Sequence, residues 1–370
     1  MDLLSQAEVP VPPALRAGRG IDAAGLASAV LVGFVGALII FVTPGFLALV
    51  AQQARLDDTH LGYIAACDIN AMAATIGVSA FLLTRCNWRV TVGIGLLLIA
   101  AGNIATAFAD SFGLIAAARV IAGAGEGIAI GFSFAALGRA SNPDRAFSIY
   151  LVAGALFSSV LLFGLPFLQQ SFSPRALFCA NAVLAFLAIA CLPGFVEGRA
   201  TEDDPFAGDG RIDWRLALPA LIGVFLYFFA TGAVWSYAER IGVVHGLDAS
   251  AIARGLSLGT LAGVAGAALA GILPRSGGRK VPLIISGVIS VASFQLLLGS
   301  TGGNMFAAAA ILLLFGWNFA QPLLSGICAD ADDKGRVVCA MGSIQTFGMG
   351  LGPAAAGAVL GAGGFGLPIW

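Results

Sequence analysis

Eleven apolar stretches, each near the length of a membrane crossing, constrain this chain more than any other feature. They occupy residues 24–51, 61–83, 90–109, 112–137, 147–168, 176–195, 216–237, 252–273, 281–299, 305–327 and 337–360. A helix of about 20 apolar residues crosses the ~30 Å hydrocarbon core of a bilayer. Backbone polar groups find no water there, so such runs must close their hydrogen bonds internally. Most gaps between runs are short, which makes successive helices antiparallel neighbours. Only 11% of the residues are Asp, Glu, Lys or Arg, against about 25% in soluble domains. The expectation is an all-α membrane protein.

Several function classes fall away on the same grounds. A formal net charge of −1 offers no footprint for nucleic acid. Residues 1–20 are polar and Pro-rich, and the first apolar run exceeds the core of a cleavable signal, so it reads as a retained helix. The six cysteines, Cys67, Cys86, Cys179, Cys191, Cys328 and Cys339, have no metal-ligand spacing and read as unpaired small apolar residues. His60 and His245 are the two histidines, both in short loops. No metal, cofactor or enzymatic activity is expected, and no Gly-rich loop with its Lys points to ATP-driven pumping. Two lysines among nineteen basic residues, with abundant Ala and Gly, point to a bacterial source.

Basic residues in the loops set the orientation. With the N-terminus inside, the cytoplasmic side holds Arg16, Arg19, Arg85, Arg89, Arg139, Arg145, Arg199, Arg211, Arg215, Arg275, Arg279, Lys280, Lys334 and Arg336. The other side holds Arg55, Arg175 and Arg240. The chain is therefore expected in the plasma (inner) membrane with its N-terminus in the cytoplasm. Residues 196–215 form the longest polar stretch and separate two halves: a six-helix bundle over 1–195 and a second bundle over 216–370, with five complete helices visible. An offset of 191 residues superposes Trp88-Arg89 on Arg279-Lys280 and Arg145 on Arg336, as expected of parallel repeats. The same shift would start a twelfth helix near Leu367, so that helix is expected to be missing or cut short.

Three local patterns resemble the major facilitator superfamily of membrane transporters, over nearly the whole chain. The loop between the second and third helices of the second half, Gly271 to Lys280 with Arg275, Gly278 and Arg279, is similar to the family's signature but lacks its acidic residue. The first-half copy, Ala80 to Arg89 with Arg85, is degenerate, with Thr84 at the acidic place and Asn87 at the second glycine. The resemblance implies that these loops, with Arg145 and Arg336, serve the cytoplasmic gate. The fourth helix carries Arg119, Gly123, Gly125, Glu126 and Gly127, similar to branches that carry organic anions and lipids. On the eleventh helix, Gly348, Gly350, Gly352 and Pro353 resemble an antiporter glycine ladder but fit close helix packing better. The implied fold is two six-helix bundles related by a pseudo-two-fold axis.

Charges at membrane depth cost at least ~2.5–3.5 kcal/mol each, so they face protein or water and mark function. The candidates are Asp68, Arg119 and Glu126, with Arg254 near a helix end. Asp68 and Arg119 each lie seven residues into helices entering from the outer side, about 10 Å deep, so an ion pair is possible. Glu126 follows Arg119 by nearly two turns on the same face. The resemblance places helices one, four, seven and ten around a central cavity, making Glu126 a candidate for proton coupling and Arg119 one for a substrate carboxylate. Trp317, Asn318 and Gln321 on the tenth helix and Tyr227, Trp235 and Tyr237 on the seventh would suit an amphipathic solute. Trp235 and Tyr237 fit an interfacial belt better. Gln345 and Asn70 are weaker candidates.

The resulting expectation is a monomeric, proton-coupled secondary transporter in the lipid bilayer, taking up a small organic anion by alternating access. Export of amphipathic compounds is the rival reading, and a non-transporting sensor or partner-dependent protein the rival class. The orientation is testable. Green fluorescent protein fused after Pro205 should fluoresce, and alkaline phosphatase fused there should stay inactive; the opposite pattern would put residues 196–215 outside the cell.

Overall fold

The computed structural model describes residues 21–137, 140, 143–197, 212–272, 278–331 and 336–363. Among them are eleven α-helices, which follow the apolar runs to within a few residues at most ends. They are α1 (Ala23–Ala54), α2 (Asp58–Arg85), α3 (Trp88–Phe108), α4 (Phe112–Leu137), α5 (Pro143–Ser171), α6 (Pro174–Ala190), α7 (Trp214–Val244), α8 (Ala249–Ile272), α9 (Lys280–Leu298), α10 (Gly303–Asp330) and α11 (Arg336–Gly363). Nine are long and apolar enough to cross a membrane by length and composition. At 17 residues α6 is shorter, and the glycines and Gln345 of α11 dilute its hydropathy. The expected start of a twelfth helix lies outside the described residues.

The short connections carry polar residues because exposed helix N-termini need acceptors. Asp22 accepts from the Gly25 N–H at 2.7 Å, Asp57 from His60 at 2.8 Å and Asn87 from Val90 at 3.1 Å. Asp57 and Asp248 sit below the usual carboxylate range, chiefly because each accepts a backbone N–H, from His60 and Ala251 respectively.

The two halves repeat. α7, α8 and α10 begin 191 residues after α1, α2 and α4 (23 to 214, 58 to 249, 112 to 303). That is the offset the loop motifs showed. Each half has its own apolar core, the first built around residues such as Ile64, Phe132 and Phe178, the second around Phe228, Phe306 and Leu313. Large apolar side chains on α3, α5 and α9, among them Leu97, Phe167 and Ile284, are exposed and form the face offered to lipid.

α2 packs against α11, α5 against α8 and α1 against α7, joining the halves. The end of the molecule carrying the α2–α3 and α6–α7 connections is here the linker end, and the opposite one the far end. Hydrogen bonds between halves among the described residues lie midway along the helices or toward the far end. One has a local cause. Pro44 has no N–H, so the Ile40 carbonyl one turn earlier loses its helical donor, and α1 kinks at Val42. Trp235 Nε1–H of α7 donates to that carbonyl at 3.1 Å, and the Thr43 hydroxyl donates at 3.2 Å. Toward the far end, Arg240 pairs with Asp58 at 2.8 Å, Tyr237 donates to the Asp58 carbonyl and Thr59 donates to the Gly357 carbonyl at 2.8 Å. Trp235 and Tyr237 are each 2% exposed, so the belt expectation is corrected: both seal the seam between halves.

Close approach of α2 and α4 depends on glycine. A Cβ at Gly123 would strike the Asp68 carbonyl oxygen, and one at Gly127 the Met72 carbonyl oxygen and Thr75 hydroxyl. Gly123→Ala should therefore lower stability by about 1–3 kcal/mol, read as a fall in the detergent unfolding midpoint. Gly113→Ala, which meets nothing within 4 Å, should be neutral or stabilising.

Candidate functional site

The glycine face of α4 allows a charged cluster to form. Arg119 of α4 donates from Nε and Nη2 to Asp68 Oδ2 of α2 at 2.9 and 2.7 Å. The same Nη2 donates to Glu126 Oε1 at 3.0 Å. Nη1 donates to Asn103 Oδ1 of α3 at 3.1 Å, and that oxygen also accepts from Asn181 of α6 at 3.1 Å. The guanidinium lies 4.8 Å from the centre of the Phe46 ring of α1, a cation–π contact. Asp68 and Arg119 are 0% exposed and Glu126 2%. Of the two carboxylates, Asp68 Oδ1 and Glu126 Oε2 have no hydrogen-bond partner.

One cation thus faces two carboxylates in a fully buried pocket. With every group ionised the cluster carries one excess negative charge, which a low dielectric penalises. A single added proton balances it. The expected ion pair between Asp68 and Arg119 forms, and Glu126 joins it. Its position needs a correction, however. The partners come from α2, α3, α4 and α6, with Phe46 of α1 over the guanidinium, so the cluster sits inside the first bundle rather than facing the tenth helix. Nor can Arg119 readily take a solute carboxylate, because Nε, Nη1 and Nη2 are all engaged.

The second-half candidates do not join this cluster. The Tyr227 hydroxyl bonds Ser286 and Ser290 of α9 at 3.2 and 2.9 Å, so it turns away from the first half. Trp317 packs edge-on against Phe228 at 5.6 Å. Asn318 donates to its own helix at Leu314 and lies against Gly263 of α8. Asn70 donates to Ala66 and lies against Gly350 of α11. Gln321 and Gln345 are half-buried, and Arg254 is exposed. The glycine ladder of α11 packs helices: Gly348 approaches Phe225 and Gly352 approaches Phe229, both of α7.

The loops expected to serve the gate make no ion pair with the opposite half among the described residues. Arg89 donates to the Phe195 carbonyl at 2.7 Å and pairs with Glu197. Arg279 pairs with Asp330 of α10. Each loop, lacking its motif's acid, thus has an Arg paired with a carboxylate from another segment. Gly278 has φ +70°, where a side chain would be strained. Arg85 and Lys280 are exposed, and Gly271 lies in the last turn of α8. Arg145 and Arg336 lie at the starts of α5 and α11, and their side chains fall outside the described residues, as does Arg275.

Two cavities accompany the cluster. One, of about 450 Å³, lies toward the linker end between α1 and α5, with an apolar wall that includes Val30, Phe34 and Phe157. The other, of about 360 Å³, lies at the far end between α1, α2, α5 and α7. Among the described residues no group of three or more His, Cys, Asp or Glu could hold a metal ion.

The comparisons with known proteins agree with this architecture. The family model described as Major Facilitator Superfamily matches residues 29–361. The chain belongs to that family. Its solved structural relatives are membrane transporters of low identity. The human organic anion transporter MFSD10 (TETRAN) matches at TM-score 0.64 and 16% identity, covering 96% of each chain. A bacterial homolog of the human lysosomal transporter Spinster, in an inward-facing and unoccupied conformation, matches at TM-score 0.65 and 18% identity, over 91% of this chain and 82% of its own. The nucleoside transporter NupG matches at TM-score 0.72 and 12% identity, over 91% and 90%. No curated protein matches. This major facilitator chain is thus a multi-pass membrane protein with the fold of known transporters.

Sequence reasoning missed Asn103, Asn181, Phe46, Asp58 and Arg240. Asn103 had a usable signal: a single amide near the middle of an otherwise apolar run, as Asn181 was in the sixth. Phe46 had none. Arg119→Met should strand two buried carboxylates and cost about 3–5 kcal/mol, seen as a large drop in the detergent unfolding midpoint or loss of monodisperse protein. Wild-type-like stability would show that the cluster is not held by its cation.

Proposed function

We propose that this major facilitator chain is a proton-coupled secondary transporter of a small amphipathic organic solute, working by alternating access. One observation carries the reading: a single guanidinium holds two carboxylates, fully buried, each with one oxygen unbonded. Taking up a proton neutralises the cluster, and losing it restores the excess charge. That change would alter how tightly Arg119 holds α2 to α4, and α2 also packs against α11 across the halves. A proton here can therefore bias the seam between the bundles.

The linker-end cavity supports the solute class. Its apolar wall suits the body of an amphipathic compound, and its volume lies in the range of small-molecule sites. An organic anion is the second reading, favoured by the resemblance of the Arg119–Glu126 helix to anion-carrying branches. It would need a cationic partner other than Arg119. The seam runs through Trp235, Tyr237 and Arg240 toward the far end, so access is through the linker end, which the basic loops assign to the cytoplasm.

The test uses purified protein in liposomes. Amphiphiles and organic acids are screened by thermal shift, and hits are followed by counterflow and by flux under an imposed pH gradient. Glu126→Gln should abolish gradient-driven accumulation and leave counterflow within a few-fold of wild type. Accumulation that persists in this variant would remove Glu126 from coupling, and absence of counterflow for any hit in the wild type would overturn the transporter reading.

A further inference from the structure

The far-end cavity is separate from the charged cluster and holds a carboxyl group, Glu239, that no residue bonds among the described residues. Its walls come from both halves. α1 contributes Pro44, Leu47 and Gln52, α5 contributes Gln169, and α7 contributes Glu239 and Arg240. Arg240 is engaged with Asp58 at 2.8 Å across the seam, which leaves that pair neutral. Glu239, half-buried beside it, has neither an ion pair nor a hydrogen bond among the described residues. The amides of Gln52 and Gln169 offer further acceptors, and Pro44 and Leu47 an apolar surface. The cavity, about 360 Å³, is of the size that takes a small molecule.

We infer that this cavity is a binding site for a small organic cation, an ammonium group on an apolar body, with Glu239 as its counter-ion. A carboxylate in a partly dry cavity gains from an ammonium ion that can donate to it directly. The apolar body replaces water against α1. Because α1 and α5 belong to one half and α7 to the other, the occupant spans the seam. It exists as a site only while the far end is closed, so its occupant holds that end shut. The inference stands apart from the coupling role of Glu126, and the two can fail separately.

The probe is benzylammonium, titrated calorimetrically into the full-length protein in detergent, with benzyl alcohol as neutral isostere and benzoate as the opposite charge. Saturable binding of benzylammonium should weaken by about tenfold or more in Glu239→Gln, as loss of a charged hydrogen bond implies, and persist in Glu126→Gln. Ala48→Leu, which fills the cavity from α1 and keeps the carboxylate, should also abolish binding and serves if Glu239→Gln fails to fold. The inference is overturned if the wild type shows no saturable binding. It is also overturned if benzyl alcohol or benzoate binds as tightly, or if either cavity variant binds like the wild type.

Discussion

The arrangement of the first half depends on one cation buried between two carboxylates. Arg119 joins α4 to α2 through Asp68 and to α3 through Asn103, and Asn103 passes the contact on to α6 through Asn181. A charge so placed would be rejected by hydrocarbon, and it is admitted only because partners from neighbouring helices surround it. Glycine makes the meeting possible, since a side chain at Gly123 would push α2 away from the helix that carries the guanidinium. Packing and electrostatics are thus a single constraint here. The small residues bring the helices together, and the charges fix their register.

The contacts between halves obey a different logic. Among the described residues they are hydrogen bonds to backbone, a bond between the Ser159 and Ser257 hydroxyls and a half-buried ion pair, lying midway along the helices or at the far end, where helices of both repeats meet. Pro44 is central among them: by freeing the Ile40 carbonyl it creates an acceptor that Trp235 of the other half fills. Such contacts cost little to break, because water can replace each partner when the seam opens. Contacts of the first kind hold a bundle rigid, and contacts of the second kind let bundles move against each other. The proposed alternating access would use both.

Much of this was legible in the residues. The apolar runs located the helices, and the spacing of two loop motifs reported the repeat that the helix starts share. Equal depth on antiparallel helices was enough to pair Asp68 with Arg119, because depth along a helix is linear in sequence. Direction around the helix axis was not recoverable in the same way. Trp235 and Tyr237 looked like belt residues, since their seam partners are a carbonyl freed by Pro44 and the backbone of Asp58. Neither is visible as a side-chain pattern. Tyr227 looked like a cavity residue for the same reason, and its partners, Ser286 and Ser290, are too common to signal anything alone. Polar residues with charged partners announce themselves, whereas those bonded to backbone or to serine do not.

The central claim is that the Arg119 cluster holds one exchangeable proton. Infrared difference spectroscopy across a pH step reads protonated carboxyl groups directly by their carbonyl stretch. The account predicts one buried carboxylic-acid band in the wild type that gains and loses intensity with pH and is lost in Glu126→Gln or Asp68→Asn. A spectrum with no such band, or one unaltered in both variants, would contradict it.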